Sequence, residues 1–151
     1  MKTSILFSTL LMVTLAYGAA EETKVNFKDL PSAVQKTAKE QERNGATVRG
    51  YNKEVEKGKT FYEVETRVKG KSRDILMDES GSIVEVEQQV DISSVPGEAM
   101  EGLKREAGGA IIRTVEFVTR GDKISYEAEI QKNGNKKEIA VNADGSAVRE
   151  P

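Results

Sequence analysis

The chain repeats itself. Val25-Asn26-Phe27-Lys28-Asp29-Leu30-Pro31 and Val90-Asp91-Ile92-Ser93-Ser94-Val95-Pro96 share the pattern V-[N/D]-[F/I]-x-x-[L/V]-P, offset by 65 positions. Tyr62-Glu63-Val64-Glu65 and Tyr126-Glu127-Ala128-Glu129 are offset by 64, as are Asp78-Glu79-Ser80-Gly81-Ser82 and Asn142-Ala143-Asp144-Gly145-Ser146. Three blocks in the same order predict one unit written twice, with a residue lost in or just after the helix. Any fold for this chain must serve both copies.

Each copy parses alike. Asp29 and Ser94 are suitable helix N-caps, and Pro31 and Pro96 suit a first turn, where the missing N–H had no partner. Helices are predicted from Leu30 to Arg43 and from Val95 to Ala107, stopped by Asn44-Gly45 and Gly108-Gly109. Four strands follow each helix. In the first copy they run about Thr47 to Glu56, Thr60 to Lys69, Ser72 to Asp78 and Ser82 to Gln89. In the second they run about Ile111 to Thr119, Lys123 to Lys132, Lys136 to Asn142 and Ser146 to Arg149. Gly and Asn between them supply hairpin turns. The fold class expected is therefore α+β: two tandem repeats, each one helix followed by a four-stranded antiparallel meander, with the helices packed on one face of the sheet. A unit of about 64 residues is marginal alone. The two sheets are expected to associate into a saddle of up to eight strands.

Alternation assigns the faces. Tyr62, Val64, Thr66 and Val68 point toward the helices with Tyr126, Ala128 and Ile130, and Ile75, Met77, Ile139 and Val141 join them. The uncovered face then carries Phe61, Glu63, Glu65, Arg67, Asp74, Leu76, Ile83, Glu85, Glu87, Glu127, Glu129, Gln131, Glu138 and Ala140.

Residues 1–20 differ from the rest. Lys2, an apolar run from Ile5 to Ala16 and small residues at Gly18, Ala19 and Ala20 read as a secretory signal peptide, cut near Ala20. The apolar run falls short of the roughly 20 residues a spanning helix needs. The domain plan is a signal peptide over 1–20, a first repeat over 21–89 and a second over 90–151, in a periplasmic or secreted protein. The 151 residues include no Cys and no His. Disulfides, thiolate or imidazole metal sites and His-based catalysis are thereby excluded. A net charge of −2 gives no basic surface for nucleic acid.

The Asp29-Leu30-Pro31 helix start, the Tyr62-Glu63-Val64-Glu65 strand and the Asp78-Glu79-Ser80-Gly81 hairpin, with their second copies, resemble the PepSY-like family. The likeness is greatest to its β-lactamase-inhibitor-like branch and runs from about Val25 to Glu150. The resemblance implies exported proteins that bind or inhibit through an open sheet face, with no catalytic residues and no cofactor. Known inhibitors of this shape carry disulfides, which this chain lacks.

Function is expected on the uncovered face. Phe61, Leu76 and Ile83 would be apolar anchors among Glu63, Glu65, Arg67, Glu127 and Glu129, suited to an exported protein or peptide partner. The protein would act as inhibitor or escort of an exported hydrolase. The alternative is an acidic, calcium-binding envelope protein using the oxygens of Asp78 to Gly81 and Asn142 to Gly145. Those segments are read more simply as Asx turns, so no metal site is assigned. Glu63 with Glu127 could do acid/base chemistry only in a pocket, and an alternating polar face accounts for them as well. No catalytic residue is assigned.

Overall fold

The computed structural model describes residues 21–148, so the predicted signal peptide lies outside the described residues. Among them, eight strands form one antiparallel sheet in chain order without a crossover. They are β1 (Glu21–Lys24), β2 (Thr47–Glu56), β3 (Lys59–Val68), β4 (Lys71–Asp78), β5 (Ile83–Val90), β6 (Ile111–Arg120), β7 (Lys123–Lys132) and β8 (Asn135–Asn142). Helix α1 (Ser32–Arg43) joins β1 to β2, and α2 (Gly97–Ala107) joins β5 to β6.

This corrects the expected fold class. Two repeats of one helix plus a four-stranded meander do not form. β5 pairs with β6 from Glu85↔Arg120 to Val90↔Val115, so the sheet runs unbroken across the supposed repeat boundary. Pairing there satisfies two rows of backbone groups that separate sheets would leave exposed at their edges. β1, not predicted from sequence, adds an outer strand along β2. Of the segment expected as a last strand, from Ser146, the described residues make only the isolated bridge Val141↔Ala147.

The helix starts also differ. A short 3-10 turn, Phe27–Asp29 or Ile92–Ser94, precedes each helix, and Pro31 and Pro96 take the N-cap positions. Asp29 and Ser94 therefore sit inside the turn, too early to cap.

Register places both helices on one face. Val64↔Ile75↔Val86↔Thr119 and Gln88↔Phe117↔Tyr126 run straight across the strands, so the inward residues of both halves point the same way. Leu30, Val34 and Ala38 bury against Tyr62, Val64, Ile75 and Met77. Val95, Ala99, Leu103 and Ala107 bury against Val115, Tyr126, Ala128, Ile139 and Val141. Two apolar patches on one sheet stabilise it by removing their surface from water. Among the described residues, no helix covers the opposite face.

Candidate functional site

The helix-free face is built from cross-strand rows. One runs Asn52↔Glu63↔Leu76↔Glu85↔Arg120 over β2 to β6. The next runs Gly50↔Glu65↔Asp74↔Glu87↔Val118↔Ser125. A third holds Glu116↔Glu127↔Ala140, and Glu129 faces Glu138 beyond it. Glu65, Asp74 and Glu87 are therefore three acidic side chains in direct succession, an arrangement that costs stability unless positive charge offsets it.

Side chains of this face are buried although, among the described residues, no helix lies over them. Glu63 is 1% exposed, Glu54 and Asp74 4% each, and Asn52, Glu85, Leu76, Val118 and Ala140 are buried too.

Burial sets the charge state. It pushes the Glu54 carboxyl up to about 7, helped by Glu22 and Glu85, and that of Asp74 to about 7, helped by Glu116 and Glu65. Glu127 rises to about 8 through burial and then Glu85. Glu63 and Glu87 are held well above the usual carboxylate range, again mainly by burial. Partial compensation comes from a few groups. Arg120 pairs with Glu85, and Lys136 Nζ lies 3.0 Å from Glu129 Oε2. Ser72 Oγ donates to Glu116 at 3.0 Å. Asn52 Nδ2 donates to Glu63 Oε2 at 2.8 Å and to Glu65 Oε1 at 2.9 Å. Among the described residues, Glu54 Oε1, Glu63 Oε1 and Asn52 Oδ1 are buried with no hydrogen-bond partner.

Most of the residues singled out from sequence meet here. Glu63, Glu65, Leu76, Glu127 and Glu129 share the helix-free face, and Phe61 stands beside Glu54 in the neighbouring row. Arg67 is at its exposed end, its Nη1 donating to Gly70 O at 3.1 Å. Ile83 leaves the group. A bulge pairs Met77 with Ile83 and Leu76 with Glu85, shifting Ile83 out of the Glu85 row, and it is 45% exposed. Alternation alone missed Glu22, Asn52, Glu54 and Glu116. Bulges after Val48 and Ile112 reset the parity of β2 and β6, which simple alternation cannot see.

The turn carboxylates are occupied by their own backbone. Asp78 Oδ1 accepts from Ser80 N at 2.9 Å and Ser82 N at 3.1 Å, and Asp144 Oδ1 accepts from Ser146 N at 2.9 Å. Tyr62 and Tyr126 are buried on the helix side.

No protein-family model matches the chain, and no curated protein does. Solved structures do match it. A protein of Bacteroides eggerthii, provisionally described as periplasmic, aligns over 80% of this chain and 86% of its own, with TM-score 0.62 and 15% identity. A DUF2874 family protein of Bacteroides uniformis aligns over 79% and 86%, at 0.60 and 17%. A BLIP-like protein of Bacteroides fragilis aligns over 81% and 85%, at 0.56 and 16%. The fold is BLIP-like. At these identities the likeness is one of backbone and says nothing of activity. The PepSY-like resemblance rests on the sequence motifs alone.

Proposed function

We propose that this is an exported, non-enzymatic binding protein whose helix-free sheet face takes a positively charged segment of a protein or peptide partner. The supporting observation is the unbroken row Glu65, Asp74, Glu87 on three neighbouring strands. Such a row is costly in the free protein and is relieved when lysine or arginine side chains enter it. Leu76, Val118 and Ala140 supply an apolar floor between the acids. An address outside the cytoplasm is supported by the signal-like residues 1–20 and by the provisional periplasmic description of the Bacteroides eggerthii protein. Inhibition or escort of an exported hydrolase is the role in keeping with a BLIP-like fold.

The test is an NMR titration with a peptide rich in lysine and arginine. Amides of β3, β4, β5 and β7 are expected to shift, and those of α1 and α2 to stay. Raising salt from about 50 to 500 mM should weaken binding at least about tenfold, because exposed parts of the contact are screened. Combining Asp74→Asn with Glu127→Gln should weaken it by a similar factor. Shifts confined to the helices, or equal binding of a glutamate-rich peptide, would remove the face from consideration.

A further inference from the structure

Glu22, Glu63 and Glu65 each bring a carboxylate oxygen within 4.8 Å of the others. Glu22 comes from β1 and the other two from β3, with β2 between them. Asn52 of β2 draws Glu63 and Glu65 together through its NH₂ group, at 2.8 and 2.9 Å. Gly50, opposite Glu65, leaves the necessary space: a Cβ there would stand 3.0 Å from Glu65 Oε2.

Acidic residues in proximity are ordinarily just a repulsive patch. Two atoms here say more. Glu63 is 1% exposed, yet its Oε1 has no hydrogen-bond partner, and neither has Oδ1 of the equally buried Asn52. A buried carboxylate oxygen without a donor bears its full desolvation cost. The matching register positions on β5, β6 and β7 are Glu87, Glu116, Glu127 and Glu129. In that set Glu116 accepts from Ser72 and Glu129 pairs with Lys136. Among the described residues, only the β1–β3 set combines converging carboxylate oxygens with orphaned buried ones.

The donors are all hard oxygens, and the chain offers neither imidazole nor thiolate. Three carboxylates can supply up to six oxygens to an ion that accepts irregular geometry, as calcium does and magnesium does not. We propose that Glu22, Glu63 and Glu65, supported by Asn52, bind a calcium ion that clamps edge strand β1 to the sheet. β1 needs such a clamp. Glu22, Thr23 and Lys24 are exposed, and among the described residues the strand pairs only with β2. Calcium requires no protein partner here, so a peptide titration that fails leaves the ion site standing, and the reverse holds.

The experiment is a calcium titration of the chelator-treated protein, read by melting temperature and by amide hydrogen exchange. Millimolar calcium is expected to raise the melting temperature by about 5 °C or more, because an ion that binds only the folded state stabilises it by mass action. Exchange at Thr23 and Lys24 should slow. Glu22→Gln should abolish both effects. Glu63→Gln should be at least as stable as the parent in chelator, since a neutral amide spares the desolvation cost of a buried carboxyl group, but should gain nothing from calcium. Glu129→Gln should respond like the parent. No response to calcium in the parent, or an undiminished response in Glu22→Gln and Glu63→Gln, overturns the site.

Discussion

Lowering the pH from 8 to 5 is expected to stabilise this protein, against the usual trend for acidic chains. The carboxyls of Glu54 and Asp74 titrate near 7 in the folded state and that of Glu127 near 8, against ordinary values of 4.5 for Glu and 3.8 for Asp. Glu63 and Glu87 are raised as well. Between about pH 4.5 and 8 the folded chain therefore holds more protons than the unfolded chain. Stability falls as pH rises through that window, because the slope follows the difference in bound protons. The contribution is complete below the unfolded values and is lost as pH passes the folded ones. A tenfold difference in proton affinity between the two states corresponds to about 1.4 kcal/mol. After allowance for mutual relief among neighbours and for partial exposure of Glu127, a total of several kcal/mol is expected. For a domain of this size that is on the order of 10 °C in melting temperature. Thermal melts by circular dichroism, in chelator at fixed ionic strength, provide the measurement. Asp78 and Asp144 have lowered values from their turn hydrogen bonds, but these act below about 4 and leave the window untouched. Glu127→Gln should flatten the slope. A melting temperature that rises from pH 5 to 8 would mean that the acids are solvated and that the face is open.

What sequence could reveal was local. Alternation in β3 correctly separated Tyr62 and Val64, packed under α1, from Glu63 and Glu65 on the far side. Turn chemistry located the hairpins after Glu56, Val68 and Asp78, where Lys57, Lys69, Gly70 and Gly81 adopt positive φ. What remained hidden depends on other strands. Parity counting assumes an even pleat, so bulges beside Arg49, Arg113 and Val84 carried Asn52, Glu54 and Glu116 into the face and Ile83 out of it. Nothing in Glu21 to Lys24 has the alternation of a half-buried strand, and β1 exists because β2 presents an edge to pair with. A reading of two separate meanders, each with one solvated face, could not anticipate buried acids.

Gly102→Ala is expected to destabilise the protein severely, although Ala is the better helix former by about 1 kcal/mol. Gly102 lies within α2, where the hairpin turn after β8 presses on the helix. A Cβ at position 102 would stand 2.3 Å from Gly145 O and 2.7 Å from Gly145 Cα, both backbone atoms of a tight turn. That turn cannot retreat freely. Gly145 has φ +78, its N–H donates to Asn142 O at 2.9 Å, and its carbonyl accepts from Arg105 Nη2 at 2.8 Å. The first half meets the same demand differently. Thr37 stands six residues after Pro31, as Gly102 stands six after Pro96, and its Oγ1 donates to Gly81 O at 2.9 Å. A side chain is tolerated there because its hydroxyl bonds the turn, whereas the methyl of Ala offers only overlap. Moving α2 outward would loosen Ala99, Leu103 and Ala107 from their apolar contacts. Overpacking of this kind costs about 3 kcal/mol, at the upper end of the usual range, or roughly 5–10 °C in melting temperature. Gly97→Ala is the matched control. A Cβ there meets nothing within 4 Å, so its melting temperature should hold or rise. If Gly102→Ala melted with Gly97→Ala, the turn and the helix could not be in contact, and the close seat of α2 on β8 would have to be given up.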